Sequence, residues 1–318
     1  MTVVGFDTSN YTTSIAYFDG TTGLNCSQLL PVKEGALGLR QSDAVFHHTQ
    51  SLPALSDRLF SNVDYHSIEA VGVSTRPRAV GGSYMPCFTV GYSHARLLAS
   101  ALGVPVFEFS HQQGHVAAAL WSSGHLDLMD LPHLAWHLSG GTTELLLVEP
   151  MNGNVTCTKI GGTTDISAGQ LIDRTGQLLG LGFPAGRQLD ALSREVECED
   201  YFPVKCKDTA FSLSGIQNKV QQYATSHSAA ETAAYATNCI AYVVRKATQN
   251  ALKTHPGLPV VFSGGVASNS VLREQLKDLN PVFAPAQYST DNAMGIAILT
   301  LRQLEINNGT KDTVCQRG

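Results

Sequence analysis

The chain has 318 residues, 43% of them hydrophobic and 15% charged, with a formal net charge of −5. That length suits two packed domains, and the apolar content excludes a disordered or fibrous chain. The acidic balance and the lack of any Lys/Arg run argue against a protein that grips nucleic acid unaided. A nucleic-acid substrate would need a partner to supply part of the hold. Seven cysteines without a CxxC pair, and a Met1-Thr2-Val3-Val4 start that runs straight into a strand, predict a cytoplasmic protein without a signal peptide. No apolar stretch reaches the length of a membrane span.

In chain order, Val3–Ser9 and Thr12–Gly20 read as two strands around a hydroxyl-rich tip. A helix is predicted over Ser42–Leu59, a buried strand over Ala70–Ser74 and a helix over Phe88–Leu102 ended by Gly103. Val104–Phe109 is the next strand, and His111 opens a helix. The second half repeats the theme. His133–Leu138 and Glu144–Val148 are strands around the turn Ser139-Gly140-Gly141-Thr142-Thr143. Helices follow near Ile166–Leu179, Arg187–Val196 and Ala229–Thr254. Leu258–Phe262 is a buried strand leading into Ser263-Gly264-Gly265, and Val271–Leu279 is a helix. The last helix opens at Thr290-Asp291-Asn292. Strands alternating with helices predict an α/β protein with mixed sheets covered by helices. The two similar hairpins suggest an internal duplication. The expected domains are 1–122, carrying the histidines, and 123–318, carrying the glycine turns, with the last helix packing back on the first domain.

His111 and His115 are four residues apart, so a helix puts both imidazoles on one face, where they can share a metal. An HxxxH alone fits two satisfied histidines better than a metal pair. The glutamate of a zincin is absent, because Gln112, Gln113 and Gly114 intervene. Asp291 could add a carboxylate ligand or simply cap the last helix. His137 lies in an otherwise apolar strand and needs a partner if buried, either a metal or a carbonyl.

Ser139-Gly140-Gly141-Thr142 and Ser263-Gly264-Gly265 both follow strands, and backbone N–H groups in such turns can cradle phosphate. Together with Thr8, Ser9, Thr12 and Thr13 in the first hairpin, they match the layout of the actin/Hsp70-like (ASKHA) superfamily, which duplicates a ribonuclease-H-like domain. Neither GxxxxGK[ST] nor GxGxxG occurs.

Over nearly its whole length the chain resembles the TsaD family of tRNA N6-threonylcarbamoyladenosine transferases, formerly classed as O-sialoglycoprotein endopeptidases of peptidase family M22. The motifs stand in the family's order: His111-Gln112-Gln113-Gly114-His115 for HxxGH, Ser139-Gly140-Gly141-Thr142-Thr143-Glu144-Leu145 for SGGxTxL, Ala168-Gly169 through Asp173 to Gly186, Phe211–Gln217 for FSFSGLK, Gly264–Asn269 for GGVxxN, and Thr290–Met294 for TDNxxM. The resemblance implies one divalent metal, iron or zinc, on His111, His115 and Asp291. His137 fills the slot of a family tyrosine ligand. It also implies an adenine nucleotide or acyl-adenylate held by Ser139, Gly140, Gly141, Thr142, Asp173, Gly186 and Asn269, with Thr8 and Ser9 beside it. The expected activity is transfer of threonylcarbamoyl from threonylcarbamoyl-AMP to N6 of adenosine in tRNA, with TsaB-like and TsaE-like partner proteins.

Three departures mark a divergent paralogue. The hairpin tip Asp7-Thr8-Ser9-Asn10-Tyr11-Thr12-Thr13 lacks the family's two acidic residues. Asp165-Ile166-Ser167-Ala168-Gly169-Gln170 replaces DDAAGE. Thr75-Arg76-Pro77-Arg78 replaces a GPG turn, which makes Arg76 and Arg78 candidates to meet a carboxylate or phosphate. The alternatives are a carbamoyl- or acyl-transferase with another acceptor, a non-catalytic TsaB-like subunit and a metalloendopeptidase.

Overall fold

The computed structural model describes residues 1–9, 11–31, 39–288 and 292–315. Contacts divide the chain into two units. The first comprises Met1–Leu131, Glu149–Cys157 and Asp291–Gly318, and the second Pro132–Val148 and Thr158–Thr290. The change of unit falls after Leu131 rather than near residue 122, because the turn Leu126–Asp130 buries Leu128 and Met129 within the first unit.

In the first unit, β1 (Thr2–Thr8), β2 (Thr12–Phe18), β3 (Gly23–Leu29), β4 (Ile68–Arg76) and β5 (Val106–Ser110) form a sheet of order β3-β2-β1-β4-β5. The first three strands pair antiparallel, and β1-β4-β5 run parallel. β1 is central and buried along nearly its whole length, which explains its continuous apolar run. α1 (Gln41–Phe60) and α2 (Phe88–Leu102) pack with a core that includes Phe6, Ile15, Leu52 and Val73. α3 (His111–Ser122) and α9 (Met294–Cys315) pack on each other, and α9 also lies on β1, β2 and β4. Small residues set this approach. A Cβ on Gly5 would meet Ala297 N at 2.5 Å, and one on Gly295 would collide with the Gly114 carbonyl. The glycine inside the HxxGH motif is therefore where α9 crosses α3.

β3 was not expected from the sequence. Its burial pattern is mostly polar and exposed, as an edge strand can be, so it lacks the apolar signal that betrays β1. The hairpin tip is tied to α1 from inside: His48 is fully buried, and its Nδ1 lies 2.7 Å from Thr13 Oγ1.

The second unit repeats the plan. β6 (His133–Leu138), β7 (Thr143–Met151), β8 (Asn154–Thr163), β9 (Cys206–Lys207), β10 (Ala210–Phe211), β11 (Val260–Ser263) and β12 (Val282–Phe283) form a sheet of order β12-β11-β6-β7-β8-β10-β9. β8-β7-β6-β11-β12 has the same succession as β3-β2-β1-β4-β5, with an antiparallel β6-β7 pair and parallel β6-β11-β12. The duplication inferred from the two hairpins is thus present in the strand order. α4 (Ala168–Leu178), α5 (Gly186–Ser193), α6 (Ser214–Tyr223), α7 (Ala229–Thr254) and α8 (Ser270–Leu276) complete the unit, with Trp136, Phe211, Ile240 and Phe262 in its core. The sequence had suggested neither α6 and β8 nor the short β9, β10 and β12. Among the described residues no helix is long and apolar enough to cross a membrane.

Two outcomes test this packing. Gly295→Ala should lower unfolding stability in urea by about 1–3 kcal/mol, because α9 must back away from the Gly114 carbonyl. Burial depresses the His48 imidazole to about 4, against partial support from the Ser9 backbone and Asp7. An unfolded histidine protonates near 6.5, so the unfolded state binds more protons between those values. Stability contributed by neutral His48 should be intact above pH 6.5 and lost as the pH falls to about 4, and His48→Gln should flatten that part of the pH–stability curve.

Candidate functional site

In the first unit the carboxyl ends of β1 and β5 bring Asp7 and Ser110 to the start of α3. Ser110 is the N-cap, and its side chain accepts from Gln113 N. Gln113 Oε1 in turn accepts from Ser110 N at 2.9 Å, and Gln113 Nε2 donates to Val155 O at 2.7 Å. This capping box starts the helix directly at the strand end, with no loop between, and fixes His111 at its first position. His115 follows one turn later.

The two imidazoles converge. His111 Nε2 and His115 Nε2 lie 2.9 Å apart, and the rings meet edge to face at 4.3 Å. His111 Nδ1 is 2.6 Å from Asp7 Oδ2, and that carboxylate is 2% exposed. Nδ1 donates to the carboxylate, so the tautomer leaves the Nε2 lone pair to face His115. A carboxylate behind an imidazole both fixes its orientation and raises its basicity, as in metal sites. An ion with nitrogen bonds of about 2.0–2.1 Å can bridge nitrogens this close, so the donor set fits a divalent cation. Asp7 Oδ1 is buried without a hydrogen-bond partner among the described residues, so the site has polar capacity left over.

Asp7 is the residue that the sequence reading passed over. The signal was available: it is a carboxylate in a strand whose other residues are buried, and such a group needs a partner. Asp291 lies outside the described residues. His137 belongs to the second unit, on β6, where it pairs in register with Glu144 on β7 and Ser263 on β11. Among the described residues no group of three or more potential metal ligands comes together.

Thr8 and Ser9 follow Asp7 and are buried. Thr8 Oγ1 donates to Cys87 O at 3.0 Å and accepts from Gly91 N at 3.1 Å. Its hydroxyl seats the start of α2. Arg76 ends β4 opposite Ser110, and Arg78 lies in the exposed loop that follows, its N–H donating to Ser83 Oγ at 3.0 Å.

In the second unit, Ser139, Gly140, Gly141 and Thr142 form one closed turn between β6 and β7. Ser139 N donates to Thr142 O at 2.8 Å, and Thr142 N donates to Ser139 Oγ at 3.1 Å. The N-terminus of α4 abuts this turn. Ser167 Oγ donates to Gly140 O at 2.5 Å, and Ala168 N donates to Thr143 Oγ1 at 2.8 Å. A Cβ on Gly169 would meet Ser139 O at 2.5 Å, whereas Gly140 and Gly141 face open space. The turn therefore exposes glycine backbone beside the positive end of a helix, an arrangement suited to an anion.

Asp173 sits on α4, and its Oδ1 accepts from Ala185 N at 2.9 Å, next to Gly186 at the start of α5. Burial pushes its carboxyl above the ordinary value, against that hydrogen bond. Gly264 at the end of β11 adopts φ +93°, and a Cβ there would collide with Leu138 O. Only glycine allows β6 and β11 to approach so closely at their ends. Asn269 is the N-cap of α8: its Oδ1 accepts from Leu272 N at 2.9 Å, leaving the Nδ2 donors for a ligand.

The Phe211–Gln217 motif explains the retained Asp165. Burial would raise this carboxyl, but Ser212, Ser214 and the N–H groups of Leu213 and Ser214 all donate to it and hold it well below the usual carboxylate range. Asp165 thus anchors the entry to α6.

The comparisons with known proteins fit this geometry. Residues 36–298 match the family model TsaD, tRNA N6-adenosine threonylcarbamoyltransferase. A protein of that name from Streptococcus suis (strain 05ZYH33) is 30% identical over 278 residues, covering 82% of this chain and 79% of its own. Another from Thermosipho africanus (strain TCF52B) is 30% identical over 317 residues, covering 94% and 93%. Among solved structures, full-length HypF in its phosphate- and nucleotide-bound form superposes with a TM-score of 0.59 at 14% identity, over 95% of this chain and 46% of that one. Such likenesses give the fold, an ASKHA-type duplicated α/β architecture. The chain belongs to the TsaD family of tRNA N6-adenosine threonylcarbamoyltransferases.

Proposed function

We propose that this protein transfers the threonylcarbamoyl group of threonylcarbamoyl-AMP to N6 of an adenosine in tRNA. The observation that carries the reading is the line Asp7–His111–His115, built into the first turn of α3 in a chain of this family. In the reaction the N6 amine attacks the carbamoyl carbon. A C–N bond forms, the C–O bond to phosphate breaks, AMP leaves with the electron pair, and the amine loses one proton.

His111 and His115 would hold a divalent metal, iron or zinc, with His137 and Asp291 as the further ligands that the sequence motifs imply. When bound, it supplies Lewis-acid polarisation of the carbamoyl carbonyl. Asp7 keeps His111 in the ligating tautomer. The turn Ser139–Thr142 receives the AMP phosphate on the N–H groups of Gly140 and Gly141, helped by the start of α4. Asp173, Gly186 and Asn269 hold the adenosine. Ser9 keeps its expected place beside the nucleotide. The net charge of −5 leaves much of the grip on tRNA to partners, for which TsaB-like and TsaE-like proteins are the expectation.

The direct test is transfer of labelled threonylcarbamoyl from threonylcarbamoyl-AMP to tRNA by the metal-loaded protein, with and without a TsaB-like partner. Labelling supports the reading. One equivalent of metal without labelling sinks it and points to another acceptor. Asp7→Asn should lower metal affinity about 10–100-fold, measured by competition with a chelator, while His111 stays in place. Gly141→Ala should leave unfolding stability within about 0.5 kcal/mol of the parent, because its Cβ meets open space. The same change should raise KM for the acyl-adenylate by crowding the phosphate.

A further inference from the structure

β1, β4 and β5 run parallel, so their carboxyl ends lie side by side, and ligands of open α/β sheets bind at such ends. Two of these ends supply Asp7 and the cap of the histidine helix. The third supplies Arg76. It pairs in register with Ser110, the residue before His111, and the next carbonyl, Pro77 O, accepts from Gln112 N at 3.0 Å. The strand end carrying Arg76 is thereby tied to the turn that carries the histidines.

Arg76 is partly buried, yet among the described residues its side chain has no hydrogen-bond or ion-pair partner. The other partly buried arginines are served: Arg245 by Asp278, Arg302 by Asp130 and Arg273 by the Ala267 carbonyl. A guanidinium cannot shed its proton, so partial burial without an acceptor costs hydration and gains nothing in return. Ser74 Oγ, two residues earlier on β4, is buried and also has no partner among the described residues. This strand end therefore offers unspent donors to an anion.

We propose that Arg76 receives the carboxylate of the amino-acid part of the carbamoyl donor, and so selects amino-acid-derived donors over plain carbamoyl-adenylate. The proposal rests on the transfer reading above, whose donor carries a threonine carboxylate besides its phosphate, and Arg76 stands at the same sheet end as the histidine pair. The planar fork of arginine matches a carboxylate in two parallel hydrogen bonds.

The test compares parent, Arg76→Ala and Arg76→Lys, all metal-loaded. Calorimetry measures affinity for N-carbamoyl-L-threonine and, separately, for AMP, and the transfer assay measures KM for threonylcarbamoyl-AMP. Arg76→Ala should weaken N-carbamoyl-L-threonine about 10–100-fold and raise KM similarly, with AMP affinity unchanged. Arg76→Lys, which keeps the charge but not the fork, should fall between, and it carries the comparison if the alanine variant does not fold. A fall in AMP affinity instead would make the phosphate the partner and overturn the assignment. Unchanged affinities and KM would overturn it too, as would no binding of N-carbamoyl-L-threonine by the parent. If the parent binds that probe through Arg76 but never labels tRNA, the transfer reading fails and the carboxylate receptor stands.

Discussion

The hydrogen bond between Asp7 and His111 is the interaction on which the rest of the first unit depends. A carboxylate at the end of a central strand is costly unless a donor meets it. Here the donor comes from a helix that begins directly after β5, two strands along the sheet, so no flexible segment separates the sheet from the imidazole. The Ser110–Gln113 capping box, the Gln113 contact to Val155 and the glycine crossing of α3 by α9 all hold that helix start in place. The HxxGH pattern is thus three requirements in one segment: two imidazoles a turn apart, a cap partner and a helix contact.

The second unit answers a different chemical need with the same strand plan. Where the first unit puts imidazoles at the carboxyl end of its sheet, the second puts exposed glycine backbone against a helix start. The order β8-β7-β6-β11-β12 repeats β3-β2-β1-β4-β5, so the Ser139 turn occupies the place in its hairpin that the Asp7–Thr13 tip occupies in the first. The two tips differ in how they spend their polar groups. Thr8 and Thr13 turn inward to α2 and to His48, whereas Gly140 and Gly141 face open space.

Much of this was legible in the sequence. The strands with continuous apolar runs, β1, β4, β6 and β11, and the long α7 lie where their patterns put them, because burial on both faces or along one stripe leaves a periodic trace. β3, β8, β9, β10 and β12 were not legible. Three of these, β9, β10 and β12, are two-residue strands that owe their pairing to neighbours, and β3 has no apolar alternation. α6 was missed because its N-terminus is fixed from afar by Asp165, which no local pattern announces. At the site, the spacing of His111 and His115 gave the pair, and the glycine pairs gave the turns. Asp7 escaped because its partner lies 104 residues away, a distance that only the parallel sheet closes.

The central claim is that His111 and His115, aligned by Asp7, form one metal-binding pair. Anomalous diffraction at the metal edge, from crystals grown with iron or zinc, tests it most directly. The account predicts one strong peak within bonding distance of both Nε2 atoms, with His111 Nδ1 still on Asp7. A peak elsewhere, or one that leaves either histidine unbound, would contradict it.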